Sequence, residues 1–313
     1  MRILIVGAGA IGGYFGARLA AAGRDVTFLV RPKRAEQLAH GLWVRSPRGD
    51  VKIPAPKVVT ESTLREPYDL IVLSCKSFDL DGAMTSFAPA VGPASLVLPM
   101  LNGMAHIEIL QARFGSGTVL GGECYISTTL DADGNVIHLN ELHQMSYGEL
   151  SGSRSTRIAA VAESLTGAGF DAVLSEHVLQ DMWEKWVFIA TMAGITCLMR
   201  ASLGDIEKAG GTAIALSLFE ECSAVAARNG HAPRADIGER IRKTLAMPGS
   251  ALTASMLRDI EGHKQTEHEH LVGDLFSRGG SLQMPVLGIC LAHLRAYEAR
   301  RLREGRINRE CQS

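Results

Sequence analysis

The chain has 313 residues, of which 46% are hydrophobic and 21% charged, and its formal net charge is -1. That length exceeds what one core usually serves and predicts two domains. The near-neutral balance excludes the basic footprint of a nucleic-acid or anionic-membrane binder. The six cysteines, Cys75, Cys124, Cys197, Cys222, Cys290 and Cys311, include no CxxC pair. That usage predicts reduced thiols in a cytoplasmic protein rather than zinc ligands or disulfides.

Taken from the N-terminus, "RILIVGAGAIGGYFGARLAAAG" reads as a short strand, a glycine turn and a small-residue helix ending at Gly23. Glycines interrupt its apolar run and no small-residue cleavage pattern follows, so a signal peptide is not expected. Gly7-Ala8-Gly9-Ala10-Ile11-Gly12 falls directly after the strand and opens the helix. In that context the glycines permit a tight turn and bring backbone N–H groups and a helix N-terminus up to a pyrophosphate, which predicts a dinucleotide site. The second strand, "RDVTFLV", leads to Arg31, where NAD-binding chains usually carry Asp or Glu for the ribose hydroxyls. A guanidinium there, with Lys33 and Arg34 close behind, suits the 2′-phosphate of NADP(H).

"YDLIVLSC" and "SLVLPM" are further apolar runs of strand length, as expected of a parallel sheet covered on both faces. They put Lys76 and Asn102 just beyond consecutive strand ends, at the carboxyl edge where doubly wound sheets bind ligands. "TTLDADGNVIHL" predicts a hairpin about an Asp-Gly-Asn turn, and "RIAAVAESLTGAGFDAVLSE" one more helix and strand. From about Ser175 the β signal fades. Asn229-Gly230 and Gly279-Gly280 are expected helix stops, and Pro285 is expected to open the last helix. The expected fold is α/β: an N-terminal Rossmann-type doubly wound sheet over residues 1–176, then an all-helical domain over 177–313. The apolar run from Trp186 to Met199 is too short for a membrane span, and apolar helix faces of this kind serve a core or a homodimer equally.

Lys185 stands out at the root of that oily helix, between Trp183 and Trp186. Lysine is seldom fully buried. On local sequence alone, its stem is expected to cover the tryptophans while the ammonium reaches water.

After the glycine motif come "LSCKSF" around Lys76, "LNGM" around Asn102, "MWEKW" around Lys185, and "LTASMLRDIEGHKQTEHEHLVGDL" with Ser255 and Glu267. In that order and spacing the chain resembles the ketopantoate reductase family (2-dehydropantoate 2-reductase) along nearly its whole length. The resemblance implies NADPH-dependent reduction of a 2-oxo acid, ketopantoate to pantoate in pantothenate biosynthesis, in a cleft formed by the two domains. It implies Lys185 as the general acid, a cation that meets the charge developing on the carbonyl oxygen and gives up the proton. It implies Glu267 as the partner orienting the ammonium or the substrate hydroxyl, Ser255 as the holder of the substrate carboxylate, Lys76 near cofactor and substrate, and Asn102 at the cleft beside both.

Twelve residues of unbroken helix would separate Ser255 and Glu267 by about 18 Å. A break is therefore expected at Gly262, with Thr266 capping the next helix. His263, Glu267 and His270 would share one face of a continuous helix, a spacing that also suits a metal. The reduction needs none, and none is expected.

One departure bears on substrate. The family carries asparagines four and eight residues after its lysine, and Ile189 and Ala193 stand there instead. Methyl surface cannot select a hydroxyl as amides do, so a 2-oxo or 3-oxo acid with a more apolar tail is the competing expectation. A reductase of the β-hydroxyacid dehydrogenase type fits less well, because it usually has asparagine where Ile189 stands. A non-catalytic NADP-binding sensor is disfavoured by retention of both Lys185 and Glu267.

Overall fold

Strand β1 (Arg2–Val6) opens the chain, followed by helix α1 (Ala10–Ala21), β2 (Asp25–Leu29), α2 (Pro32–Leu38), the short strands β3 (Leu42–Arg45), β4 (Val51–Ile53) and β5 (Lys57–Val59), then β6 (Tyr68–Leu73), α3 (Leu80–Phe87) and β7 (Val91–Pro99). The computed structural model describes residues 1–310, the last five by their backbone alone. An all-parallel sheet runs in the order β5-β2-β1-β6-β7. Counted within the sheet this is 3-2-1-4-5, the expected doubly wound Rossmann-type arrangement, with its order reversing between β1 and β6. Ile3, Leu4 and Ile5 are fully buried, as a strand covered on both faces must be.

Helix α4 (Ala105–Phe114), strands β8 (Gly121–Leu130) and β9 (Val136–Gly148), helix α5 (Thr156–Leu165) and strand β10 (Asp171–Leu174) follow. β8 and β9 pair antiparallel as the expected hairpin. They also belong to something larger than that reading held. β3, β4, β8, β9 and β10 make a second, mixed sheet in which β9 pairs with β8, β3 and β10. β3 and β4 are four and three residues long, too short for a readable period; pairing with β9 and with each other, not local pattern, makes them strands.

Helix α1 packs against strands of both sheets, and this explains its small-residue composition. Every residue from Gly12 to Leu19 is buried. A Cβ on Gly16 would lie 2.4 Å from the Phe28 ring, and one on Gly13 2.9 Å from Val136.

The chain divides into two compact units. One, Met1–Asn102 with His106–Leu179, holds both sheets; the other, Gly103–Ala105 with the chain from Gln180 onward, is helical over its described residues. Its helices are α6 (Val178–Met199), α7 (Leu203–Lys208), α8 (Thr212–Arg228), α9 (Ala235–Leu245), α10 (Ser255–Glu261), α11 (Asp274–Arg278) and α12 (Pro285–Glu310). The glycine stops and Pro285 stand where expected, with Gly230 and Gly280 both at positive φ. Among the described residues no helix is long and apolar enough to cross a membrane. Cys197, Cys222 and Cys290 are free thiols, and Cys311 lies outside the described residues. Burial pushes Cys197, Cys222 and Cys290 up to about 12, so they stay protonated and unreactive.

Buried titratable groups make stability pH-dependent. Burial holds His143 below the usual imidazole range despite Asp171, and holds His231 low as well. A histidine that resists protonation when folded costs stability once its unfolded counterpart protonates, so stability is expected to fall as pH drops below about 6.5. A second decline is expected below about 4.3. Arg157 holds Glu149 low, and Arg234 holds Glu184 low against the upward push of its own burial; protonation there forfeits those bonds. Urea midpoints at pH 8, 5 and 3 check both steps, and His143→Gln is expected to shrink the first.

Candidate active site

At the carboxyl ends of β1 and β6 the parallel sheet opens on a cavity of about 1210 Å³. Pockets for one small ligand usually span about 300–1,000 Å³, so the space suits something dinucleotide-sized. Gly7, Ala8 and Gly9 line it. Ala10 and Ile11 begin α1, whose N-terminus has no side-chain cap and no acid in its first turn, leaving its first N–H groups for an anion. Gly12 points inward: a Cβ there would lie 2.1 Å from the Gly7 carbonyl oxygen and 2.2 Å from Ser74 Oγ. Ser74 Oγ donates to that same carbonyl at 2.9 Å, so the end of β6 holds the loop after β1.

Arg31 precedes the first residue of α2 and lines the cavity, its guanidinium 2.6 Å from Asp79 and largely exposed. Arg34, one turn on, is more deeply set. Its Nε donates to Ala8 O at 2.9 Å and its Nη1 to Gln37 at 3.1 Å, while Nη2 is buried without a hydrogen-bond partner. Burial lowers the Arg34 pKa against the pull of Asp131. Lys76, exposed ahead of a 3₁₀ turn over Ser77–Asp79, lines the same cavity. Asn102, three residues beyond β7, does not. Asp79 carries no motif, and Ser74, although it lies within "LSCKSF", has no local signal for its bond to Gly7.

In the helical unit Lys185 is buried, at 7% exposure. The local expectation of an ammonium reaching water fails, because α6 is enclosed on almost every side: Trp183, Trp186, Val187 and Ala190 are all buried around it. Arg234 takes both acids of the first turns, Asp181 and Glu184, and also donates its backbone N–H to Glu184 at 2.7 Å.

Ser255 is the exposed first residue of α10, and the preceding Ala254 N–H donates to Thr196 Oγ1 on α6 at 3.3 Å. The helix does break at Gly262, with His263 at φ 52. Thr266, however, caps nothing. Glu298 on α12 accepts from its backbone N–H at 2.6 Å and its hydroxyl at 2.9 Å, and the His268 ring lies 2.9 Å from the same hydroxyl. A buried carboxylate outcompeted the helix terminus for that side chain. The break also removes the shared face of His263, Glu267 and His270, and among the described residues no group of three or more His, Cys, Asp or Glu could hold a metal. Glu267 is half-buried just before a π-helical turn, Glu269–Gly273, a rare form frequent at functional sites. Gly103, at φ +81, packs there too: a Cβ on it would lie 3.1 Å from the His270 carbonyl.

Two models of known families match this chain: ketopantoate reductase PanE/ApbA over residues 3–152, and the ketopantoate reductase PanE/ApbA C-terminal region over residues 177–298. The chain belongs to the ketopantoate reductase family. It is 37% identical to the uncharacterized oxidoreductase YkpB of Bacillus subtilis, over 96% of this chain and 99% of that one. It is 31% identical to the 2-dehydropantoate 2-reductase of Archaeoglobus fulgidus, over 89% and 90%. The crystal structure of 2-dehydropantoate 2-reductase from Geobacter metallireducens superposes with a TM-score of 0.85 at 25% identity, covering 95% of this chain and 99% of that one. As a ketopantoate reductase family member the protein is an oxidoreductase that uses a nicotinamide dinucleotide. The dinucleotide fits the first unit, with its uncapped helix, glycine loop and spare Arg34 donor. Along α6, the residue one turn past Lys185 is the partly buried Ile189, and the next is the buried Ala193; positions four apart share a face.

Proposed function

We propose that the protein reduces a 2-oxo acid with NADPH, taking ketopantoate to pantoate or reducing a relative with a more apolar tail, with Lys185 as general acid. Residues 1–176 serve as the nucleotide-binding domain and 177–313 as the substrate and catalytic domain. The observation that carries the reading is a lysine kept and buried on α6 in a chain matched to the family over both halves. The bound dinucleotide supplies the hydride. Lys185 stabilises the developing alkoxide and donates the proton that completes the alcohol. Glu267 orients that ammonium or the substrate hydroxyl, Ser255 holds the substrate carboxylate, and Lys76 and Asn102 flank cofactor and substrate. Reduced thiols support a cytoplasmic location.

The preference for NADPH rests on Arg31 and Arg34. A half-buried guanidinium with an unused donor gains most from an added phosphate. Arg34→Gln is expected to raise the Kd for NADPH about tenfold, since hydrogen bonds to charged groups contribute about 1.5–3 kcal/mol, with NADH little changed. Equal losses for both nucleotides in fluorescence titrations would count against the 2′-phosphate assignment.

Ile189 and Ala193 favour a substrate whose tail needs no amide. Comparing kcat/KM for ketopantoate with its analogue lacking the hydroxyl decides this, and the unhydroxylated acid is expected to be used at least as well. A preference for ketopantoate of about 1,000-fold or more would mark a site built to satisfy the hydroxyl and would end the apolar-substrate idea.

A further inference from the structure

We propose that Glu298 and Trp186 are positioning residues that fix the backbone of Glu267 relative to the helix carrying Lys185; the proposal rests on the roles assigned above to those two side chains. Residues 265–267, between the turn that ends α10 and the π-helical turn, have no secondary structure of their own, so their backbone must be held from outside. Glu298, 8% exposed on α12, does this at Thr266, the residue before Glu267. One carboxylate oxygen accepts both the N–H and the hydroxyl of Thr266, and the other accepts from Arg301 at 2.8 Å. The neighbouring Tyr297 donates its hydroxyl to Lys264 O at 2.8 Å.

The second hold acts on the other side of Glu267. Its carbonyl accepts from Leu271 N–H at 2.9 Å. Leu271 O in turn accepts from the indole N–H of Trp186 at 2.8 Å, and Trp186 is fully buried. A hydrogen-bonded chain thus runs from the Glu267 backbone to the residue after Lys185. Glu267 is pinned one residue before and four residues after, and neither hold uses its carboxylate.

The test is a cycle of variants assayed with NADPH and the better of ketopantoate and its unhydroxylated analogue. Glu298→Ala is expected to lower kcat about tenfold, since misplacement by about 1 Å can cost up to about 100-fold, with the Kd for NADPH unchanged. Glu298→Gln, which keeps an acceptor oxygen for Thr266, is expected to restore most of the rate. In a Glu267→Gln background, Glu298→Ala is expected to cost less than about twofold more, because a residue acting through Glu267 has nothing left to position. Trp186→Phe, which removes the indole N–H and keeps an aromatic ring, is expected to behave like Glu298→Ala in both backgrounds and serves if the alanine variant does not fold. Equal losses in both backgrounds, or no loss in either, overturn the positioning role while the reading of Glu267 stands. An unchanged rate in Glu267→Gln alone overturns that reading and the proposal with it.

Discussion

Lys185→Met is expected to lower kcat for 2-oxo acid reduction by about 1,000-fold, within the range of about 100- to 10,000-fold for a general acid, while NADPH still binds with a Kd within about twofold. Methionine matches the lysine stem in length and removes only the ammonium, and burial at 7% exposure among tryptophans favours an apolar replacement. Lys185 does not line the nucleotide cavity, which separates loss of chemistry from loss of cofactor. Steady-state rates with NADPH fluorescence titration decide it. Turnover near that of the unsubstituted protein would remove Lys185 from the chemistry and with it the proposed mechanism.

Gly12→Ala is expected to abolish dinucleotide binding and to destabilise the protein by about 3 kcal/mol. The added methyl would meet a backbone oxygen at 2.1 Å and Ser74 Oγ at 2.2 Å. The hydroxyl could rotate away, but the carbonyl belongs to Gly7, which itself sits at φ +92 in the loop that faces the cavity. Relief therefore requires moving the loop. Gly9, on the same turn, has no atom within 4 Å of a built Cβ, so Gly9→Ala is expected to cost little stability and to impair only the close approach of the nucleotide. Thermal melts with and without NADPH separate the two. Similar melting losses for both variants would show that packing against Ser74 is not what makes Gly12 obligatory.

Much of this molecule was legible before any coordinates. The parallel sheet announced itself through uninterrupted apolar runs, and the glycine loop through its place between a strand and a helix. The hairpin turn, the helix stops and Pro285 were read from residues whose backbone preferences are local. The break at Gly262 was expected because the resemblance implies that Ser255 and Glu267 share one small substrate, which a straight helix between them would not allow.

Other features depended on partners distant in the chain, and no local pattern reports those. β3 and β4 exist because β9, some ninety residues on, supplies an edge to pair with. Thr266 reads as a helix cap, yet it meets Glu298, thirty-two residues away, and a buried carboxylate binds two donors more strongly than a frayed helix end binds one. Lys185 reads as a lysine whose head reaches water, and enclosure of α6 buries it instead. Local stereochemistry thus determined most of the elements and the nucleotide loop, and the order of the motifs carried the resemblance to the family. Which polar groups lost their water, and which partners replaced it, was decided only when the chain closed on itself, because desolvation is a property of surroundings rather than of a residue.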